Sequence, residues 1–262
     1  MLSYQHSYHA GNLADVHKHA VLSSILSYLT QKEKPLTYLE SHSGRGLYDL
    51  QSSDATKTGE AEQGIGRLSV LDWFSVTHPY RRVLTAIRTR HGENAYPGSP
   101  VIASELLRDS DSMHLGELHP VESNRLDEQL GHRARVYRED GYQLLNRLCP
   151  PTPRRGLALL DPSYEVAEDY ARTVQSVKQL ATKWNVGVVM VWYPILKSGA
   201  ERSLVRDLQR HIRDGISHQV QFPPAKDGHG MIGSGLFIIR PPYGLDVELQ
   251  RLSACYQGLS RL

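Results

Sequence analysis

The residues best suited to chemistry form the motif Asp161-Pro162-Ser163-Tyr164, which directly follows the apolar run 156–160. An exocyclic amine carries two N–H donors, and the Asp161 carboxylate and the Pro162 carbonyl can accept one each. Accepting both hydrogens would aim the nitrogen lone pair at an electrophilic methyl group, while Tyr164 could stack on the attached base. The alternative interpretation of the motif is a tight turn with an exposed aromatic side chain.

Two further candidates follow other predicted strands. The loop 41–46, with His42 and two glycines, follows the predicted strand 36–40, and Glu117 lies at the end of the predicted strand 113–118. A carboxylate in the position of Glu117 can accept hydrogen bonds from a ribose diol, although the usual spacing from glycine loop to acid is only about 20 residues. The polar, strand-poor stretch 47–98 accounts for the longer spacing if it is an insertion.

Asp140-Gly141 follows the predicted strand 135–138. The Asp140 carboxylate can accept a hydrogen bond from the adenine amine of a cofactor, or it can simply cap the helix that begins at Gly141. Both interpretations remain open at the level of sequence.

The elements that must position these residues are indicated by the spacing of apolar residues. Helices are predicted over 12–31, 101–108, 121–130, 141–148, 168–182 and 198–213, and strands over 36–40, 113–118, 135–138, 156–160, 186–192, 216–222 and 234–239. Strands that alternate with helices favour a mainly parallel sheet. Only a glycine-containing loop separates the last two strands, so they are expected to form an antiparallel hairpin at a sheet edge. The prediction is an α/β, Rossmann-like fold with seven strands. A sheet that ends in an antiparallel hairpin is more typical of a methyltransferase than of a dehydrogenase.

Composition excludes several classes of protein. The 262 residues are 40% hydrophobic and 22% charged, which is enough apolar material for a packed core. No apolar run approaches the roughly 20 residues that cross a bilayer, and two cysteines form neither a disulfide framework nor a metal pair. A cytoplasmic protein without membrane contact is expected. The net charge is only +2, but arginines cluster near 81–90, 133–138 and 154–155, where they can meet phosphates or form ordinary solvated surface.

At the Asp161 motif the chain resembles the N6-adenine methyltransferases, whose signature is Asp/Asn-Pro-Pro-Tyr/Phe. The block 1–19 is more specific and is similar to the start of bacterial 23S rRNA adenine-N6 methyltransferases that act on free rRNA. Shorter matches to that family lie at 96–100, 117–120, 140–141, 154–157 and 192–194.

The resemblance implies a class I fold that binds S-adenosyl-L-methionine and methylates an adenine of 23S rRNA. It implies a methyl-donor site lined by His19, His42, Ser99, Glu117, Asp140, Gly141 and Asp161. It implies catalysis by Asp161 with Pro162 and Tyr164, and contacts of Tyr4, His6 and Lys18 with the RNA or the target adenine. The resemblance further implies one methyltransferase domain over 1–262, in which 47–97 forms an inserted helical subdomain that helps to hold RNA. We expect a monomer without a bound metal.

One departure from the family is Ser163, where the family has a second proline. Ser163 loosens the loop, so activity is expected to be retained but slower. The alternatives left open are a DNA adenine or cytosine-amine methyltransferase and an RNA-binding module that has lost catalysis. A nicotinamide-dependent oxidoreductase is disfavoured because the sequence after Gly44-Arg45-Gly46 lacks the third glycine of the dinucleotide fingerprint.

Overall fold

The computed structural model of the chain describes residues 6–223 and 230–259. Its strands are β1 Thr37–Glu40, β2 Leu47–Asp49, β3 Ala95–Pro97, β4 Ser112–Gly116, β5 Arg135–Tyr137, β6 Gly156–Leu160, β7 Val188–Leu196, β8 Gly215–Gln221 and β9 Met231–Ile239. Its α-helices are α1 Leu13–Thr30, α2 Ser53–Thr58, α3 Glu60–Gln63, α4 Leu68–Leu71, α5 Pro79–His91, α6 Ser99–Leu106, α7 Pro120–Leu130, α8 Gly141–Leu148, α9 Glu168–Lys183, α10 Arg202–His211 and α11 Leu245–Leu259. Short 3₁₀ turns occupy His6–Tyr8 and Gly131–Arg133.

Seven strands form one sheet in the order β5-β4-β1-β6-β7-β9-β8. The first five of these strands are parallel, and β9 pairs antiparallel with both β7 and β8. The predicted mainly parallel sheet with an antiparallel hairpin at its edge is therefore confirmed. Strand order reverses between β1 and β6, and the carboxyl ends of strands at such a switch point are where α/β proteins bind ligands.

Apolar side chains cover both faces of this sheet, as expected for buried parallel strands. Along β6, Leu157 and Leu159 face a cluster that includes α1, α5, α6 and α11, whereas Ala158 and Leu160 face a cluster formed with α8, α9 and α10. The alternation follows from the two-residue period of a strand. A sheet held from both sides keeps the loops at its carboxyl edge in a fixed arrangement.

Helix α1 is buried over most of its surface, including positions that carry polar or charged side chains. Asn12 caps it, because the Asn12 side chain accepts a hydrogen bond from the Asp15 amide at 2.9 Å. The buried polar residues of the helix include Asp15, His17, Lys18 and His19. Buried polar groups require partners, so α1 depends on specific contacts with the elements around it.

The stretch between β1 and α6 contains two strands that the sequence analysis missed. β2 and β3 pair antiparallel and bring the two ends of this stretch together, while α2, α3, α4 and α5 lie between them. Each strand has only three residues, too few for an alternating pattern to be recognised. Among the helices of the described residues, none is long and apolar enough to span a membrane.

Other boundaries were also predicted incorrectly. β7 was predicted to end at 192 but continues through Pro194 to Leu196. β6 pairs with β7 no further than Val191, so beyond that residue the missing N–H of a proline is tolerated as on an edge strand. No element was predicted after 239, where α11 buries one apolar stripe against α1 and β8.

Candidate functional site

Asp161 follows β6 at the switch point of the sheet and meets a buried lysine from α1. The Lys18 Nζ atom donates to Asp161 Oδ2 at 2.5 Å and lies 3.1 Å from Asp15 Oδ1. The Asp161 side chain keeps 12% of its surface exposed, so one side of its carboxylate is reachable. A lysine is thus held between two carboxylates at the edge where ligands bind in this type of sheet.

Burial alone would lower the pKa of Lys18, but the charges of Asp161 and Asp15 outweigh it, and the pKa is raised above its usual value. Burial likewise opposes ionisation of Asp15, yet the neighbouring His6, Lys18 and His19 hold the pKa of its carboxyl well below the ordinary value. Asp15 and Lys18 are therefore ionised. One cation, Lys18, thus lies between two carboxyl groups.

The N-terminal block folds onto Asp15. Asp15 Oδ2 accepts hydrogen bonds from His6 Nε2 and from the Gly11 amide, both at 2.9 Å. The ring of His6 also lies edge-on against Tyr48 at 5.2 Å. The i, i+3 spacing of Asp15 and Lys18 places both on one face of α1, and this face is directed at Asp161.

Tyr164 forms a buried wall beside Asp161. It adopts φ +55, only 7% of its surface is exposed, and its hydroxyl donates to the Trp192 carbonyl at 2.8 Å. Its ring packs against Tyr170 at 4.7 Å and Trp192 at 6.1 Å. The alternative of a tight turn with an exposed aromatic therefore does not hold. The half-buried Ser163 precedes it in this loop.

The loop after β1 is tied to the loop after β4 by Glu117. Its two oxygens accept from the Gly44 amide at 2.7 Å and the His119 amide at 2.8 Å. Burial raises the pKa of Glu117, although these two backbone donors partly oppose that effect. Each carboxylate oxygen has a second lone pair, so Glu117 retains the capacity to accept from a ligand hydroxyl.

Gly141 is required where α8 begins, because a Cβ there would lie 1.8 Å from the Ser41 carbonyl oxygen. The adjacent Asp140 caps α8 by accepting from the Gln143 amide at 3.0 Å, and its other oxygen accepts from Arg172 at 2.5 Å. The capping role left open by the sequence is thus observed. His42 lies nearby, with Nδ1 2.7 Å from the Ser41 hydroxyl and a pKa that burial lowers to about 4.

A second buried carboxyl lies at the end of β1. Glu40 is fully buried and accepts from Tyr38 at 2.8 Å and from Ser99 at 2.5 Å. Burial raises the pKa of Glu40 to about 8. His19 belongs to the same side of the site, where its Nδ1 lies 2.9 Å from the Tyr96 hydroxyl and burial lowers its pKa to about 3.

Three buried side-chain atoms near this edge have no hydrogen-bond partner within the described part of the chain. They are His19 Nε2, Ser43 Oγ and His119 Nδ1. Buried polar atoms are normally satisfied by protein or by a bound molecule. Together with the close backbone approach at Gly141, these atoms fit a polar ligand held between α1 and the loops after β1 and β4.

The structure brings most of the predicted site residues to one edge of the sheet. Asp161, Lys18 and His6 lie on one side of it, linked through Asp15, while His42 and Glu117 lie in the loops of the other side. Tyr4 falls outside the described residues. Within the described ranges, no group of His, Cys, Asp and Glu side chains has the geometry to hold a metal ion.

Sequence reasoning missed Asp15, Glu40 and Trp192. A signal for Asp15 was present, because Asn12 and Asp15 have capping spacing and Asp15, Lys18 and His19 share a helix face. Nothing in the sequence marked Glu40 as buried or Trp192 as a neighbour of Lys18, since both depend on which strands are adjacent.

The sheet order and this carboxyl edge define an α/β methyltransferase. A family model described as "Ribosomal RNA large subunit methyltransferase D, RlmJ" matches residues 33–257. The chain belongs to this family.

Relatives of known sequence cover almost the whole chain. A protein of Escherichia coli named "Ribosomal RNA large subunit methyltransferase J" is 39% identical over 96% of this chain and 91% of its own length. A protein of the same name from Haemophilus influenzae is 37% identical over 96% of this chain and 92% of its own length. The crystal structure of a Legionella pneumophila protein, 36% identical, superposes with a TM-score of 0.85 and covers 96% of this chain and 93% of that one.

Proposed function

We propose that the chain transfers the methyl group of S-adenosyl-L-methionine to the exocyclic N6 amine of an adenine in 23S rRNA. The observation that carries this proposal is the carboxylate of Asp161, held by Lys18 at 2.5 Å beside Pro162 at the carboxyl end of β6. The family supports rRNA as the substrate, since the curated relatives are named as methyltransferases of large-subunit ribosomal RNA.

S-adenosyl-L-methionine supplies a methyl group on a positively charged sulfur, and the residues that would hold it lie on the loop side of the site. Glu117 would accept from the ribose hydroxyls. His19, His42, Ser99 and the Asp140-Gly141 turn would complete the donor site. His19 Nε2 is buried without a hydrogen-bond partner and lies 3.8 Å from Asp15 Oδ1, so it can form a hydrogen bond with a ligand atom.

Asp161 and the Pro162 carbonyl would each accept one hydrogen of the target amine. The methyl–sulfur bond breaks as the new bond forms, leaving S-adenosylhomocysteine, and the nitrogen gains positive charge that the oxygens of Asp161 and Pro162 stabilise. Lys18 is already protonated and cannot take the extra proton, so Asp161 accepts it and passes it to solvent. Positioning of the target amine against the methyl group supplies much of the remaining rate acceleration.

A base inside a stacked helix is out of reach of this buried edge, so the adenine must be unpaired or flipped out. Lys18, His6 and Tyr4 would contact the RNA or the flipped base, and Tyr164 would form a wall of its pocket. The segment 47–97 would act as an inserted helical subdomain that helps to hold RNA within a single methyltransferase domain. We propose that the active form is a monomer.

The test is transfer of a radioactive methyl group to protein-free 23S rRNA and to duplex DNA, followed by mass analysis of the nucleosides. Wild type should form N6-methyladenosine in rRNA and little product in DNA. Asp161→Ala should lose at least about 100-fold in rate with an unchanged circular dichroism spectrum, and Asp127→Asn on the exposed face of α7 should match wild type. Transfer to DNA alone, or full activity of Asp161→Ala, would overturn the proposal.

A further inference from the structure

A chain of four hydrogen bonds runs from Trp192, next to the candidate site, to the surface helix α11. The Trp192 Nε1 donates to Ser234 Oγ at 3.0 Å, and Ser234 Oγ lies 2.9 Å from His17 Nδ1. His17 Nε2 lies 2.8 Å from His218 Nδ1, and His218 Nε2 lies 2.8 Å from Ser253 Oγ. His17 and Ser234 are fully buried.

The donor and acceptor properties of these groups determine the direction in which the hydrogen bonds of this series can run. An indole N–H can only donate, so Ser234 uses its lone pair for Trp192 and its single hydrogen is free for His17. When that hydrogen points to His17 Nδ1, a neutral His17 carries its own hydrogen on Nε2 and donates it to His218 Nδ1.

His17 stays neutral in this arrangement. Burial, followed by the charge of His218, holds its pKa well below the ordinary value. One nitrogen of a neutral imidazole accepts while the other donates, which matches the two contacts of His17. Every hydrogen bond between Trp192 and Ser253 can thus be made at once.

The Trp192 end of this hydrogen-bond chain contacts two residues of the candidate site. The Lys18 Nζ lies 5.5 Å from the centre of the Trp192 ring, within the range of a cation–π contact. The Tyr164 ring packs against the indole with the ring centres 6.1 Å apart, and the Tyr164 hydroxyl donates to the Trp192 carbonyl at 2.8 Å. His17 and Lys18 are neighbours on α1, so this helix engages Asp161 through one residue and anchors the adjoining indole through the next.

We propose that His17 and Ser234 are positioning residues that fix the indole of Trp192, and through it Lys18 and Tyr164, for reaction with the target base. The inference deepens the proposed function and rests on it. Neither residue touches the reacting atoms. Without Ser234 Oγ, the indole N–H would face a fully buried position that offers no acceptor, and an unpaired donor there is costly enough to shift the ring.

A matched pair of substitutions separates the two contacts of His17. In His17→Asn the side-chain amide occupies the place of Nδ1 and keeps the link to Ser234, whereas in His17→Gln it occupies the place of Nε2 and keeps only the link to His218. Ser234→Ala removes the acceptor of Trp192 directly. Ser253→Ala cuts the chain at its far end and serves as the control.

Two readouts are measured on the full-length protein: steady-state methylation of 23S rRNA, and the indole N–H resonance of Trp192 in a ¹⁵N–¹H spectrum, assigned with Trp192→Phe. Ser234→Ala and His17→Gln should lower kcat/KM for RNA by about tenfold and shift that resonance. His17→Asn and Ser253→Ala should retain both values, and affinity for S-adenosylhomocysteine should be unchanged throughout.

Equal losses in His17→Asn and His17→Gln would show a packing role and overturn the inference, as would an unshifted resonance in Ser234→Ala. If wild type itself methylates no RNA, the proposed function fails, while the resonance still reports whether Ser234 and His17 hold the indole.

Discussion

Two sets of buried ionisable side chains in the candidate site have pKa values shifted in opposite senses, one toward the charged form and one toward the neutral form. On the side of α1, Lys18 and Asp15 have pKa values shifted toward the charged form, because each lies against groups of opposite charge. On the side of the loops, burial dominates, so the pKa of Glu40 rises to about 8 and that of His42 falls to about 4. The cluster around Lys18 is thus charged and paired, whereas Glu40 and His42, like His19 on α1, are buried and close to neutral. Asp140 on the loop side is again paired, with Arg172.

The difference matches the chemistry proposed for each side. A nitrogen that becomes cationic needs acceptor oxygens nearby, and the α1 side lies against the carboxyl group of Asp161. A donor that is already cationic is recognised by hydrogen bonds to its sugar and base, for which neutral groups and backbone amides suffice. Substitutions in the cluster around Lys18 should therefore affect catalysis most, and those on the loop side should affect stability and donor binding.

The largest effect is expected from Lys18→Met. The substitution leaves the buried Asp15 and the partly exposed Asp161 without their common cation, which typically costs about 3 kcal/mol of stability. Methyl transfer should fall at least about 100-fold, because Asp161 is no longer held in place. Urea denaturation and rRNA methylation measure the two effects, with the exposed Lys32→Met as control.

A double-mutant cycle sharpens this prediction. Asp15→Asn combined with Lys18→Met removes one charge of each sign, so the double variant should be more stable than the sum of the single losses predicts. Additive losses would mean that the two groups do not interact, and the contrast between the two sides would lose its physical basis.

An intermediate effect is expected from Glu40→Gln, and it depends on pH. Glu40 has a pKa of about 8 in the folded protein and an ordinary value of 4.5. Its protonated form is favoured on folding, so its contribution to stability is complete below pH 4.5 and is lost as the pH rises to about 8. The maximum slope for one proton is about 1.4 kcal/mol per pH unit.

Glu40→Gln does not titrate, so its stability relative to wild type should increase as the pH rises through this window. Chemical denaturation at several pH values measures the difference, and the exposed Glu62→Gln should show none. A constant difference between wild type and Glu40→Gln across the window would refute a protonated Glu40.

The smallest effect is expected at Asp140. Asp140→Ala removes the cap of α8 and should cost about 1 kcal/mol of stability, whereas Asp140→Ser keeps a capping oxygen and should cost much less. If Asp140 also binds the methyl donor, both variants should bind S-adenosylhomocysteine more weakly, by about tenfold. Wild-type affinity in Asp140→Ser, measured by calorimetry, would limit this residue to its capping role.

The sequence was most informative where one physical signal dominated. The bounds of β6 and α8 were predicted to the residue, because β6 is an uninterrupted apolar run and α8 begins after a capping aspartate. β2 and β3 were missed because three-residue strands carry no periodic pattern. α11 was missed although Leu245, Leu249 and Leu252 recur at helical spacing, so in that case the signal was available.

Site residues were likewise predicted where one local signal was enough to place them. Asp161 and Glu117 were predicted from their places after strands, which requires only that parallel strands end at one edge. The pairing of Lys18 with Asp161, and of His17 with Ser234, joins residues 143 and 217 positions apart. Such contacts are set by the packing of α1 on the sheet, which local patterns do not encode.

The long separation between α1 and its partners has a consequence for biosynthesis. At 5–20 residues per second, Asp161 leaves the ribosome about 7 to 29 s after Lys18. The Leu13 carbonyl accepts a hydrogen bond from the Tyr256 hydroxyl, and Tyr256 is synthesised 243 residues after Leu13. A nascent chain therefore lacks the Lys18–Asp161 pair until Asp161 has followed β6, and the Leu13 carbonyl lacks its Tyr256 partner until α11 emerges, so the contacts of α1 are completed only when almost the whole chain has been made.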